Sequence, residues 1–301
     1  MAKFEIKDGV AIIPEGTTEI SNYAFDDCRT LESIVIPESV TEIGYAAFFR
    51  CTSLKNVTMP KSVTKIGDNA FDGCSLLESI TLPESLASIG WYAFTGCKSL
   101  KNITLPDSVT FLGENAFSGC TSLESLTISN SVTRIDHYAF NDCSSLKSIT
   151  IPESVKDIGV GTFRWCTALE SVTIPESVTR IGCYAFMGCT SLKDITIPES
   201  VTRIEQNAFK GCASLKSITI PESVREIEEY AFEGCTSLTT VILPVRMRDI
   251  NLTAFYKCPS LSTIYVPAKT TDYYRELLPE KLHDKIVELA PEKKTKTGKE
   301  C

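Results

Sequence analysis

The feature that most constrains this chain is a phenylalanine followed three residues later by a cysteine, repeated every 23 residues. The eleven pairs are Phe25/Cys28, Phe48/Cys51, Phe71/Cys74, Phe94/Cys97, Phe117/Cys120, Phe140/Cys143, Phe163/Cys166, Phe186/Cys189, Phe209/Cys212, Phe232/Cys235 and Phe255/Cys258. A fixed period of this length is the signature of a solenoid, in which each copy buries its apolar residues only against neighbouring copies. The 301 residues therefore predict one repeat array, although length alone would suggest two domains.

One copy, residues 146–168, shows what each repeat contributes. The Ile-Thr-Ile segment 149–151 alternates in polarity, which predicts a strand with one apolar and one polar face. Pro152 ends that strand, because proline has no N–H for a sheet ladder. Residues 155–158 form a second short apolar segment that we expect to be extended. The stretch 160–166 is expected to be a single helical or 3₁₀ turn, with Phe and Cys on one face.

The consensus L-x-x-[IV]-x-[IL]-P-x-S-[VL]-x-x-I-x-x-x-A-F-x-x-C resembles the BspA-like leucine-rich repeats of bacterial and protozoan surface proteins, over about residues 12–289. Ser129 replaces the proline in one copy, and Arg246 replaces the serine in another. The resemblance implies a right-handed coil with a parallel β-sheet on one face and short extended, 3₁₀ or helical turns on the other. It also implies adhesion to host or extracellular-matrix proteins or to other cells.

The ends of a solenoid expose apolar rungs and need caps. We expect residues 1–20 to form a partial capping repeat with a hairpin turn at Asp8-Gly9, and residues 21–268 to form the solenoid. Residues 269–290 have apolar residues at mostly helical spacing and predict a C-terminal helical cap, which Pro279 divides in two or restarts. A threonine at 270 or 271 is a suitable N-cap. Residues 291–301 are expected to be a disordered tail.

Composition excludes several classes of partner. The net charge of −8 and the pI of about 5.1 argue against binding of nucleic acid or an anionic membrane surface, since both need a basic face. The first residues have no apolar stretch of signal-peptide length, and we expect no membrane-inserted segment. The chain as written therefore predicts a soluble, cytoplasmic protein, whereas the family resemblance suggests a secreted or cell-surface one.

The spacing of the thirteen cysteines does not indicate a framework of disulfides or metal sites. Neighbouring repeat cysteines would lie roughly 5 Å apart, which a disulfide allows, but stacked side chains point in parallel directions. Zinc sites use closely spaced cysteines such as C-x₂-C, and none occurs here. We expect an inert buried column, because free cysteine behaves as a small apolar residue. Disulfides and metal remain the alternatives.

No arrangement typical of an enzyme is present, and no cofactor is expected. His137 and Cys183 share a column two rungs apart, about 10 Å, which is too far for a nucleophile and its base. The other histidine, His283, falls in the predicted cap. Glutamates recur on the rungs as a ladder, whereas a catalytic pair would be a local exception to the repeat.

Two surface features are candidates for binding. The outward strand position is threonine in eight successive copies. Threonine suits a solvent-exposed face of a β-sheet, and alternatively the stacked hydroxyls could bind glycan or ice. Aromatic residues also replace polar or small residues in single copies, and exposed aromatics on a rigid scaffold are candidate anchors for a protein. The candidate residues are Phe49, Trp91, Phe111, Trp165, Tyr256, Thr104, Thr127, Thr150 and Thr173.

Two columns alternate from one copy to the next. The first alternates glutamate and lysine from Glu32 to Lys193, and the second alternates largely between asparagine and tyrosine after the glycine turn. This period of 46 residues, two repeats, suggests that the array grew by copying pairs of repeats. The prediction is a monomeric, non-enzymatic protein-binding scaffold, with an intracellular scaffold or effector and a glycan-binding protein as the alternatives.

Overall fold

The computed structural model describes residues 4–290, which form a solenoid of parallel strands. Most rungs have two short strands separated by turns, so two ladders run along the molecule, although residues 194–196 form no strand. Neighbouring strands pair in parallel with a register of 23 residues, as between Ile43 and Ile66. The predicted fold class is confirmed, because the sequence period and the strand register are the same.

The first ladder contains the predicted Ile-Thr strands, and a hairpin strand begins it. Its strands are β1 (Ile6–Lys7), β2 (Val10–Ile12), β4 (Ser33–Val35), β6 (Asn56–Thr58), β8 (Ser79–Thr81), β10 (Asn102–Thr104), β12 (Ser125–Thr127), β14 (Ser148–Thr150), β16 (Ser171–Thr173), β19 (Ser217–Thr219), β21 (Thr240–Ile242), β23 (Thr263–Val266) and β24 (Ile286–Glu288). This ladder is divided into four sheets, β1-β2-β4-β6-β8, β10-β12, β14-β16 and β19-β21-β23-β24.

The second ladder comes from the short apolar segment that was expected to be extended. Its strands are β3 (Glu19–Ile20), β5 (Glu42–Ile43), β7 (Lys65–Ile66), β9 (Ser88–Ile89), β11 (Phe111–Leu112), β13 (Arg134–Ile135), β15 (Asp157–Ile158), β17 (Arg180–Ile181), β18 (Arg203–Ile204), β20 (Glu226–Ile227) and β22 (Asp249–Ile250). All eleven form one uninterrupted sheet. The second ladder therefore holds the rungs together where the first ladder opens.

The stretch that ends in Phe and Cys consists of successive turns rather than a helix. In the second rung, Cys51 N donates to Phe48 O at 3.1 Å, the i→i+3 bond that a 3₁₀ turn would have. Two positions in each of the first ten rungs, however, adopt left-handed backbone, as at Ala46 (φ 49°) and Arg50 (φ 55°). The second of these positions is glycine in six copies, which adopts positive φ without a steric penalty.

The core is built from columns of identical residues. The eleven phenylalanine rings stack face to face, with centroids 4.9–5.8 Å apart from Phe25 to Phe255. Thr162, which replaces the usual alanine, is fully buried and its hydroxyl donates to Gly159 O at 2.9 Å. The twelve cysteines of the described residues are free thiols, and ten of them are buried. The column is therefore neither a disulfide ladder nor, among these residues, part of any group suited to hold a metal ion.

A serine column, which the sequence reading did not single out, joins consecutive rungs. In seven copies the serine hydroxyl donates to a backbone carbonyl of the preceding rung, 22 residues earlier. The pairs are Ser62–Val40, Ser85–Val63, Ser108–Leu86, Ser154–Val132, Ser177–Val155, Ser200–Val178 and Ser223–Val201. Where Arg246 replaces serine, Arg225 Nη1 donates to Val224 O instead, at 3.0 Å.

Both ends of the solenoid carry different structure. Strands β1 and β2 form an antiparallel hairpin whose turn residues, Asp8 and Gly9, have φ values of 49° and 78°. Phe4 extends the phenylalanine stack, 5.6 Å from Phe25.

At the C-terminal end lie helix α1 (Thr271–Leu277) and a 3₁₀ helix (Glu280–Lys285), which begins directly after Pro279. Thr270 occupies the N-cap position, but its hydroxyl donates to Pro267 O rather than capping α1. The predicted tail, 291–301, lies outside the described residues.

Candidate binding surfaces

The edge of the solenoid formed by the turns between the second ladder and the cysteine column, here called the turn face, carries Trp91. The indole is 52% exposed. Its ring lies against the next rung at Gly113, where a Cβ would be 2.7 Å from Trp91 Cδ1. Its backbone N donates to Asp68 Oδ1 of the preceding rung at 2.8 Å. The ring is thus fixed at its base and presents about half of its surface to a partner.

Trp165 is the second tryptophan of the turn face, three rungs further along. It has φ 61°, at a position that is glycine in the next three rungs. Its ring covers Gly188 so closely that a Cβ there would overlap it, and the Arg164 guanidinium lies 6.0 Å from the ring centroid. The side chain is 41% exposed. A bulky residue in left-handed backbone costs free energy, and such positions often have a functional reason.

Three exposed tyrosines in the first four rungs were not among the predicted site residues. Tyr23 and Tyr45 pack edge to face with centroids 5.1 Å apart, and Tyr92 adjoins Trp91. Their exposed fractions range from 36% to 54%. The signal was present in the sequence, since Tyr45 shares the Trp91 column and Tyr92 belongs to the asparagine–tyrosine alternation. The first four rungs therefore concentrate four exposed aromatic side chains on the turn face.

The other candidate aromatics are partly covered by cations. The Arg50 guanidinium lies 4.8 Å from the Phe49 ring, and Arg134 lies 5.6 Å from Phe111. Both rings are only half-buried, but one face of each is already occupied. Phe111 belongs to the second ladder, whereas both tryptophans lie in the turns that follow it. The structure thus separates the predicted aromatics rather than assembling them into one site.

Tyr256 lies near the C-terminal end of the turn face, beside two lysines. Lys257 Nζ is 5.2 Å and Lys281 Nζ is 5.4 Å from the ring centroid. The ring is 43% exposed. An ammonium over an aromatic face is attracted by the ring quadrupole, so Tyr256 holds two positive charges at this end of the molecule.

The threonine column is exposed along the first ladder. All eight of its threonines are exposed, and none of their hydroxyls makes a hydrogen bond within residues 4–290. They are Thr58, Thr81, Thr104, Thr127, Thr150, Thr173, Thr196 and Thr219. The cross-strand bonding of stacked hydroxyls, which the sequence allowed, does not occur. The hydroxyls are consequently available to water or to a ligand.

The first ladder opens at three places beside these threonines. Cavities of about 320, 320 and 410 Å³ lie between Thr81 and Thr104, between Thr127 and Thr150, and between Thr196 and Thr219. At the first opening no hydrogen bond joins Lys101 to Glu78 in the described chain, whereas Glu124 N donates to Lys101 O at 2.8 Å one rung later. The first two openings are two rungs apart, the same interval as the alternation of glutamate and lysine.

The residues weighed for catalysis do not come together. His137 Nδ1 accepts a hydrogen bond from Val160 N at 2.9 Å, and Cys183 Sγ donates to Glu205 Oε2 at 3.2 Å. Burial, followed by Glu205, raises the pKa of the Cys183 thiol, the opposite of nucleophile activation.

The glutamate ladder has a structural role instead. The carboxylate of Glu176, for example, accepts the backbone N–H of Glu199 on the next rung at 3.1 Å. Within residues 4–290, no helix is long and apolar enough to cross a membrane.

These strands, columns and exposed faces define a leucine-rich-repeat protein, a class whose members generally act as non-enzymatic binding scaffolds. The BspA type leucine rich repeat region matches residues 10–98, 64–167 and 156–278, and the chain belongs to this family. No curated protein matches the chain in sequence.

Solved structures agree with this assignment. A leucine-rich cell surface protein from Faecalibacterium prausnitzii is 31% identical, with a TM-score of 0.54, over 89% of this chain and 90% of that one. The pneumococcal vaccine antigen PcpA is 21% identical, with a TM-score of 0.63, over 94% of this chain and 80% of that one. A leucine-rich repeat protein from Eubacterium ventriosum is 21% identical, with a TM-score of 0.51, over 84% and 91%. The last two show the fold alone.

Proposed function

We propose that this protein is a non-enzymatic adhesion scaffold that binds a host or extracellular-matrix protein through its turn face. The observation that carries the proposal is the pair of exposed tryptophans, Trp91 and Trp165, each resting on a glycine of the next rung. Large aromatic side chains held in fixed positions lose little conformational entropy on binding and often dominate the binding energy of interfaces. The similarity to a cell-surface protein supports a location of this protein at the cell surface, where it would meet such a partner.

The exposed tyrosines of the first four rungs support binding through the same face. Tyr23, Tyr45 and Tyr92 add exposed aromatic surface with hydroxyl groups at its edge, a composition that is enriched in protein interfaces. Asp68 lies between Tyr45 and Trp91 in the same column and adds a carboxylate. The partner expected here is a protein surface with apolar pockets beside basic or hydrogen-bonding groups. Binding by a monomer is sufficient for this function.

The test is binding to immobilised matrix proteins and to host cells, measured for the parent chain and for Trp91→Ala and Trp165→Ala. A matched control is Leu252→Ala, because Leu252 is in the same column as Trp91 and is 66% exposed. At least one tryptophan variant should lose tenfold or more in affinity with an unchanged melting temperature, whereas Leu252→Ala should bind normally. Equal binding by all three variants would exclude the turn face.

A second candidate function is glycan binding along the threonine column. It is favoured by the openings of the first ladder, where unbonded threonine hydroxyls flank cavities of about 320–410 Å³. Thr104→Val and Thr127→Val remove hydroxyls at the openings, and Thr58→Val removes one in the uninterrupted part. On a glycan array, the first two variants should lose a signal that the third retains. Absence of any signal for the parent chain would reject this function.

A further inference from the structure

A pocket of about 490 Å³ lies where the last rung meets the C-terminal cap, and it is here called the cap pocket. Its walls include Phe255 and Cys258, the last members of their columns, and Leu282 of the 3₁₀ helix. A further rung would cover these residues with another phenylalanine and cysteine. The cap covers them with Leu282 instead, and the different shape leaves the pocket with an apolar floor.

Three lysines, Lys257, Lys281 and Lys285, line the same pocket. Lys257 Nζ is 3.4 Å from Glu233 Oε1, and that glutamate is also paired with Lys210. Lys285 Nζ donates to the backbone carbonyl of Leu261. Lys281 has no carboxylate within ion-pair distance among residues 4–290. Two of the three ammonium groups therefore lack an anionic partner.

This local excess of positive charge contrasts with the rest of the chain, whose net charge is −8. The charge is also held in place, since Lys257 and Lys281 both lie within 5.4 Å of the Tyr256 ring. Cations fixed beside an apolar floor favour an anion that carries an apolar body, because the carboxylate pairs with the lysines while the body is removed from water. The volume lies in the range of pockets that hold small organic ligands.

We propose that the cap pocket binds a small organic carboxylate with an aliphatic or aromatic body. The carboxylate contacts the ammonium groups of Lys281 and Lys285, which have no anionic partner in the described chain, and the body lies on Phe255 and Leu282. This function is independent of the two tryptophans, because they and the cap pocket belong to different rungs. It adds a small-molecule site to a protein otherwise proposed to bind macromolecules.

The test uses the full chain and three probes, measured by isothermal titration calorimetry and by NMR: octanoate, octanol and acetate. Octanoate should bind saturably, and more weakly at high salt because the attraction is partly electrostatic. Octanol lacks the charge and acetate lacks the apolar body, so each should bind at least tenfold more weakly. Equal affinity for octanoate and octanol would overturn the proposal, as would binding signals spread over the whole solenoid.

Two lysine variants test whether octanoate binds in the cap pocket. Lys281→Gln should weaken octanoate binding about tenfold without lowering the melting temperature, since this side chain makes no ion pair within the described chain. Lys98→Gln is the matched control, because Lys98 is an exposed lysine six rungs before the pocket residue Thr236 in the same column. Unchanged octanoate binding by Lys281→Gln, or an equal loss in Lys98→Gln, would overturn the proposal.

Discussion

The thiol of Cys143 donates a hydrogen bond to the backbone carbonyl of Phe117, 26 residues earlier, over 3.3 Å. The same bond recurs at each repeat cysteine from Cys51 to Cys258, with Sγ–O distances of 3.0–3.3 Å. Each cysteine therefore gives a carbonyl of the preceding rung a second hydrogen bond, beside the one that this carbonyl accepts from the backbone of its own rung, in addition to filling space. The bond explains why the column is cysteine rather than alanine.

Replacing one of these thiols tests the hydrogen bond. Cys143→Ala should lower the free energy of unfolding by about 1–2 kcal/mol, since it leaves a small cavity and removes one of the two hydrogen bonds that the Phe117 carbonyl accepts. Cys143→Ser retains a donor and should lose less than the alanine variant. Chemical denaturation measures both, with Cys28→Ala as the control because Cys28 is only partly buried. A serine variant less stable than the alanine variant would show that the column is only apolar packing.

Alkaline pH should destabilise the protein steeply. Burial raises the pKa of the Cys120 and Cys166 thiols from 9.0 to about 12. The folded state then keeps protons that the unfolded chain loses, so this stabilisation is complete below pH 9.0 and declines as the pH rises toward the folded pKa. The loss is about 1.4 kcal/mol per pH unit for each buried thiol.

Denaturation between pH 8 and 11 in the presence of a reductant measures that slope. Removing two thiols in the Cys120→Ala/Cys166→Ala variant should make it shallower by about 2.8 kcal/mol per pH unit, twice the value for one thiol. The same slope in the parent and the double variant would mean that other groups, such as the tyrosines, control alkaline unfolding.

The serine column should contribute to stability as a set of single hydrogen bonds. Ser154 Oγ donates to Val132 O at 2.5 Å, and Ser154→Ala leaves that carbonyl without its partner. We expect a loss of about 1 kcal/mol in the free energy of unfolding. Ser148→Ala, at an exposed strand position of the same repeat, should change it by less than about 0.5 kcal/mol. Similar losses of stability in Ser154→Ala and Ser148→Ala would show that the serine column does not stabilise the solenoid through these hydrogen bonds.

Two glycines of the turn face should differ in their sensitivity to alanine. Gly96 has φ +68°, but a Cβ there would meet nothing nearer than 3.8 Å, so Gly96→Ala should cost only the left-handed strain, about 1 kcal/mol. At Gly67 a Cβ would lie 2.8 Å from the backbone carbon of Gly44, and two rungs must separate. Thermal denaturation should show a clearly larger loss for Gly67→Ala. The reverse order would mean that strain outweighs rung spacing.

The period in the sequence was sufficient to predict the fold class, the strand register and the burial of the Phe and Cys columns. These properties depend on which residues occupy equivalent positions, and a 23-residue repeat identifies those positions directly. The same reasoning predicted the extended segment that became the second ladder. It also identified Trp91 and Trp165 as exceptions to the repeat, because a change in one copy is visible without any structure.

Only the tertiary structure decided which surfaces are available. Whether Arg134 covers Phe111, whether the first ladder opens between Thr81 and Thr104, and how Leu282 meets Phe255 depend on distances between rungs. Those distances result from packing summed over the whole array and from a cap that does not follow the repeat. The sequence by itself therefore determined which residues stack in each column. The three-dimensional packing determined the gaps, the covered rings and the cap pocket, where binding is proposed.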